Sequence, residues 1–332
     1  MAISYLLAVV LLVPFLLDAA PIFSRNPPIR PIFTFPNNTF VENIRVRSNS
    51  ELLVTSMSVP TLFGIDPTAA TPDASVLYTF PNATGLAGIT ETKPDIFAIV
   101  SATWDLVNTR AILGTLVVWT INLHSTPPIV HRIANVINST SFNGIASIHQ
   151  SPSLVLAGDS AIGAVWRVNL LTGNYGIAFS DPLFEPISTE QGLNLGIDGL
   201  KIKDGHLYFT NPAYEIFGRV KIDQFGNKIG AVEVIANITD SATTGAHYDD
   251  FAIDGEGRSW IATHPEYVVE VGPAGNQNVI SNSTLLLNPT SAAFGRGSLA
   301  QKKTLYVTNG GAFSGDNLID EGMVAIDLSR FG

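Results

Sequence analysis

Three carboxylates and an amide recur at one register of a repeated strand. Glu42, Asn143, Asp198 and Asp249 each stand two residues ahead of the first anchoring apolar residue of a short strand: Ile44 in ENIRV, Ile145 in NGIAS, Leu200 in DGLKI and Phe251 in DDFAI. Ala87 and Ala292 hold the same place ahead of Ile89 and Phe294. If these strands share an axis, the polar members converge on it. Such a set suits a hard divalent cation such as calcium, which takes oxygen ligands. Without a cation the carboxylates repel, and one of them holds a proton near neutral pH. Asp and Asn also cap turns and bond backbone amides, and the sequence leaves that alternative open.

A second ring is expected from the loop that follows the next strand of each unit. It offers Met57, Trp104, Asp159, Asn211 with Tyr214, His264 with Tyr267, and Asn309 with Phe313. Thr210-Asn211, Thr263-His264 and Thr308-Asn309 occupy equivalent places. Aromatic walls beside a few hydrogen-bonding groups are what a pocket for a small, apolar, oxygenated molecule needs. His264 is the one histidine expected at this mouth. His206 opens a strand at the opposite face, and His124, His131 and His149 read as peripheral. No GxSxG elbow, phosphate loop or HExxH motif occurs.

The elements that must position these rings repeat six times, with anchors at Ile44, Ile89, Ile145, Leu200, Phe251 and Phe294. A second strand follows each anchor (ELLVTS, DIFAIVS, SLVLAG, HLYFT, RSWIAT, TLYVT), and then a third (LFGID, LVVWTINL, AVWRVNL, FGRVKID, YVVEV, MVAIDL). A fourth closes five of the units. The strands are short, rich in β-branched and aromatic residues, and bounded by Gly, Pro, Asn and Asp, with no competing helical period. Four strands per unit predict an all-β, six-bladed β-propeller; a β-sandwich or two smaller β-domains is the alternative. The sixth unit lacks its fourth strand, and PIFTF, Pro31 to Phe35, is expected to supply it, because PIFTFPNNT parallels VLYTFPNAT. Joining the chain ends in one blade removes an open sheet edge. In a propeller the first strands line the channel, and the loops carrying both rings share one face.

The 332-residue chain is 46% hydrophobic and only 14% charged, with a net charge of -10. That sign disfavours a nucleic-acid partner. An apolar run from Leu6 to Leu17, too short to span a bilayer and followed by Ala19 and Ala20, predicts a signal peptide over residues 1–20. A single propeller domain then fills residues 21–332. No later segment is expected to enter a membrane. Five Asn-x-Thr tripeptides, at Asn37, Asn82, Asn138, Asn237 and Asn282, fall just after fourth strands and predict exposed glycosylation sites in the secretory pathway or outside the cell. With no cysteine in the chain, neither disulfides nor thiolate metal sites are possible. No pattern in the sequence sets an oligomeric state.

The phrases NGIAS, IDGLKI, DDFAIDGEGRSWIAT and PTSAAFGRGSLAQKKTLYVTNGG resemble the fungal secreted propellers related to the SMP-30/gluconolactonase family. That resemblance implies one divalent cation held by a Glu, two Asn and an Asp, of which Glu42, Asn143 and Asp249 match three; Ala87 stands where the remaining Asn is expected. Within this group the leader, the glycosylation signals and the absent cysteines resemble the hetero-Diels-Alderases of tropolone-sesquiterpene biosynthesis. This implies a (4+2) cycloaddition between a quinone methide, derived from a tropolone or phenol, and a humulene-type sesquiterpene, with no cofactor required. Met57, Trp104, Tyr214, Tyr267 and Phe313 would then bind substrate. Asn211, His264 and Asn309 would donate hydrogen bonds, and Asp198 or Asp249 would aid the loss of water that forms the diene. A metal-dependent lactonase and a non-catalytic binding propeller are the alternatives.

Overall fold

Alternating β-branched and aromatic residues, cut by tight turns, form six four-stranded antiparallel sheets in the computed structural model. It describes residues 27–187, 194–238, 245–315 and 317–331; the expected signal peptide lies outside the described residues. The innermost strands are Val41–Val46, Gly85–Lys93, Phe142–Ser147, Leu200–Lys203, His247–Ile253 and Pro289–Phe294. Each is followed outward by the second, third and fourth strands expected from sequence. The turn at Asp204-Gly205 shows how local sequence sets the hairpins. Both residues have positive φ, 49° and 73°, as a two-residue type I′ turn requires. Among the described residues no helix is long and apolar enough to cross a membrane.

The ring closes as predicted. Strand Ile29–Thr34 pairs antiparallel with Gly322–Asp327, from Ile29 opposite Ile326 to Thr34 opposite Gly322, with one register shift between Pro31 and Phe33. Ile32 and Phe35 from the first strand pack with Ile44, Val54, Tyr306 and Met323. The two chain ends are therefore stitched together by one apolar cluster that spans the last and first blades.

Two features bring the inner strands close enough to build a site. A Cβ on Gly144 would lie 2.2 Å from the carbonyl oxygen of Asp198, and one on Gly88 would lie 2.2 Å from that of Asn143. Only glycine permits that approach, and Gly144 N–H uses it to donate to Asp198 O at 3.1 Å. The second feature is a register shift shared by several inner strands, between Val41 and Ile44, Leu86 and Ile89, Phe142 and Ile145, and Tyr248 and Phe251. A β-bulge re-aims the side chains within it, and here these include Glu42, Asn143 and Asp249. Backbone groups loosened by the irregular register are met by second-strand threonines. Thr55 Oγ1 accepts from Asn43 N–H at 3.1 Å, and Thr210 Oγ1 accepts from Gly199 N–H at 2.9 Å.

If the N-terminal strand carries the closure, Ile32→Ala should cost about 2–4 kcal/mol, the usual range for truncating a buried apolar residue. Arg30→Ala, an exposed change on the same strand, should cost less than about 0.5 kcal/mol. Urea unfolding of both variants checks this; equal midpoints would refute it.

Candidate functional site

The bulges deliver the inner ring to the channel mouth as one cluster. Asn143 neighbours both Glu42 and Asp198. Asp198 neighbours Asp249, whose Oδ2 lies 3.1 Å from Nε2 of His264. Glu42 and Asp198 are almost wholly buried, and Asp198 Oδ1 has no hydrogen-bond partner among the described residues. Burial first, and the neighbouring Asp249 second, push the Glu42 and Asp198 carboxyls well above the usual range.

Burial also pushes Asp249 up to about 8 and His264 down to about 4. Burial thus disfavours the charged form of both partners in the Asp249–His264 contact. The result is a buried run of ionisable groups, Asp198, Asp249 and His264, ending at the mouth.

The structure adds residues that the sequence reading missed. His247, paired in register with His264, stacks on it with ring centroids 4.2 Å apart and planes 21° from parallel. The mouth therefore holds two histidines, not the one expected. His247 lies four residues ahead of the anchor Phe251, beyond the two-residue offset from which the inner ring is read. Burial and the adjacent His264 push it down to about 3. Asp250, next to Asp249, turns the other way. It accepts from Ser291 Oγ at 2.9 Å and ion-pairs with Lys201 farther along the channel.

The outer ring divides. Asn211 is fully buried, and its amide is fully engaged. Nδ2 donates to Leu183 O and Glu185 O at 3.0 and 3.1 Å, while Oδ1 accepts from the backbone of Ala213 and Tyr214. As placed, it anchors the loop between the third and fourth blades and has no donor left for a ligand. Asn309 Nδ2 donates to Leu285 O at 2.7 Å, whereas its buried Oδ1 has no partner among the described residues. Asp159 accepts from Trp166 Nε1 at 3.1 Å. Tyr214 and Tyr267 pack against the cores of the fourth and fifth blades. The asparagines of the five Asn-x-Thr tripeptides are all exposed.

Met57 and Phe313 do meet. They line a cavity of about 300 Å³ with Phe40, Leu106, Val107 and Leu318. Its rim comes from two short hairpins not foreseen in the sequence, Trp104–Asp105 with Arg110–Ala111, and Ala312–Ser314 with Asn317–Ile319. Val107 and Phe313 are 93% and 79% exposed, apolar surface that a soluble protein ordinarily keeps for a ligand or partner. Met57 also packs with Ala87, Trp104 and Phe142, and Phe40 rests on that cluster. Ala87 thus makes one position of the inner ring apolar and joins it to the packing beneath Met57.

Among the described residues no group of three or more His, Cys, Asp or Glu side chains is set to hold a metal. Ala87 turns one of the six positions of the ring to packing.

No family model matches the chain. A protein from Phoma sp named "Putative hetero-Diels-Alderase" is 28% identical over 325 residues, covering 88% of this chain and 90% of that protein. A protein of the same description from Sarocladium schorii is 26% identical, covering 85% and 78%. Among solved structures, a luciferin-regenerating enzyme superposes with a TM-score of 0.65 at 14% identity, covering 91% of this chain and 95% of its own. A calcium-binding regucalcin from Agrobacterium tumefaciens gives 0.59 at 17% identity, covering 91% and 95%. A gluconolactonase from Xanthomonas campestris gives 0.60 at 11% identity, covering 91% and 89%.

Linkage supplies a test of the proton chain. A carboxyl raised from about 3.9 when unfolded to about 8 when folded favours folding at low pH and loses that contribution as pH rises toward 8. His264, lowered to about 4, acts in the opposite sense between about 4 and 6.5. His247, lowered to about 3, adds to His264 below about pH 6.5, and above it Asp249 shares the loss with the raised Glu42 and Asp198. Asp249→Asn preserves a donor to Nε2 and removes the titration. Wild type should lose about 1–2 kcal/mol between pH 6.5 and 8, and the Asn variant clearly less; parallel stability curves would refute the assignment.

The chain is a six-bladed β-propeller of the regucalcin and gluconolactonase type in fold, and its sequence is similar to proteins that carry the name hetero-Diels-Alderase.

Proposed function

We propose that this protein is a pericyclase, a hetero-Diels-Alderase joining a tropolone- or phenol-derived quinone methide to a humulene-type sesquiterpene. The observation that carries the reading is an apolar cavity built on Met57, Phe40 and Phe313, in a propeller whose inner ring holds the buried acids Glu42 and Asp198 and the Asp249–His264 contact. The similarity to relatives named for this reaction supports it.

A (4+2) cycloaddition asks little covalent chemistry of a protein. Two apolar partners must be held in near-attack geometry, which in favourable intramolecular cases supplies ~7–11 kcal/mol. The cavity walls exclude water and hold the hydrocarbon. Asp249, protonated at neutral pH, gives its proton to the departing hydroxyl of a hydroxymethylated precursor, and water leaves. The proton of the tropolone or phenol hydroxyl passes back to the Asp249–His264 pair, which ends in its starting state. General acid catalysis of this kind is worth about 10²–10⁴-fold. During cycloaddition a donor from the same pair meets the negative charge that grows on the carbonyl oxygen.

Lactone hydrolysis rests on fold likeness alone.

Purified protein, given a hydroxymethylated tropolone and humulene, should yield one stereoisomer of the dihydropyran product. A racemate at the uncatalysed rate would reject the reading. Asp249→Asn should lose about 10²-fold or more on that precursor while keeping most activity on a preformed quinone methide. Val107→Asp and Phe313→Asp, both at exposed positions, should raise KM for the hydrocarbon with little change in melting temperature.

A further inference from the structure

At the opposite end of the channel the charge changes sign. A cavity of about 320 Å³ opens there, and its lining comes from all six blades. Arg45, Lys201 and Arg296 project around it with Glu91, and alanines of the third, fifth and sixth blades leave its centre open. The wall of this mouth is cationic in a protein whose net charge is -10.

Two of the three cations have carboxylate partners. Lys201 Nζ is ion-paired with Asp250, and Arg296 Nη1 donates to Glu91 Oε2 at 2.7 Å. Arg45 differs: among the described residues its guanidinium makes one hydrogen bond, from Nη1 to its neighbour's carbonyl, Ile44 O, at 2.9 Å. A guanidinium carries five donors in a planar fork that matches an oxyanion bidentately. The rest of the fork faces the cavity beside Lys201. Burial, with Arg45 beside it and against the pull of Asp250, lowers Lys201 to about 8. Two partly desolvated cations side by side are unfavourable, and an anion between them would relieve both.

We propose that this lower mouth binds a compact oxyanion, a carboxylate or phosphate group, with Arg45 as its bidentate ligand and Lys201 alongside. The site is separate from the acid cluster and does not depend on the cycloaddition reading. Its ligand class is the opposite of what the upper mouth admits, so the channel discriminates charge at both ends.

Melting of the full chain, titrated in separate arms with inorganic phosphate and with malonate, tests this. Sodium chloride at matched ionic strength is the control. Saturable stabilisation beyond the chloride control is expected in at least one arm, and the tighter arm identifies the source. Arg45→Gln should weaken that response about tenfold or more, and Arg45→Lys, which keeps the charge and loses the fork, should fall between. No saturable response in wild type, or equal titrations for wild type and Arg45→Gln, would overturn the proposal. If Arg45→Gln does not fold, the Arg45 Nε resonance of the ¹⁵N-labelled wild type decides. A shift with phosphate or malonate and not with chloride supports the site; none in either arm overturns it.

Discussion

The architecture depends on how closely six strands approach one axis. At Gly88, Gly144 and Gly199 a Cβ would collide with the next blade, so the backbones themselves touch there. Where the same register carries a side chain instead, it is polar and bonded. Asp250 takes Lys201 and Ser291, and the backbone N–H of Asn43 donates to Thr55. Crowding at the axis leaves no room for regular pairing across the first turn of each inner strand, and the bulges follow. They in turn direct Glu42, Asn143 and Asp249 into the mouth. The site is a by-product of closing the ring tightly.

That geometry also explains why the acids behave as acids rather than as carboxylates. Close packing removes water from Glu42 and Asp198, and desolvation disfavours the charged form. Neighbouring carboxyls add to the effect, and Glu42, Asp198 and Asp249 are all shifted toward their protonated forms. Asn143 and His264 complete the network without adding charge at neutral pH. The cations sit at the far end, and Asp250 and Lys201 form the boundary between the two regions. Along a single channel the protein thus separates a neutral, proton-rich mouth from a cationic one. Apolar hairpins frame only the first.

Much of this was legible in the residues. Six strand anchors with their following strands identified the blades, and the likeness of PIFTFPNNT to VLYTFPNAT located the closing strand. Both readings rest on local patterning, alternation and turn chemistry, which short strands express strongly. The inner ring was legible for the same reason where the bulge recurs ahead of the anchor; in the sixth blade it falls between Pro289 and Ser291, and Ala292, expected on the ring, lines the opposite mouth instead. The outer ring was less so. Asn211 has the residue type of a ligand donor, yet its amide is engaged by the carbonyls of Leu183 and Glu185, on a connection 26 to 28 residues away in sequence. His247 was overlooked because its place opposite His264 arises from strand pairing, not from the repeat.

Sequence alone determined the number of blades, the strand that closes them, and which residues line the axis, since each follows from periodicity within a short span. Only the tertiary structure decided what those residues are. The protonation of Asp249, the stacking of His247 on His264, the surplus charge of Arg45 and the apolar cavity at Met57 and Phe313 all arise between blades. They depend on distances and desolvation across segments far apart in the chain, and no local pattern encodes either quantity.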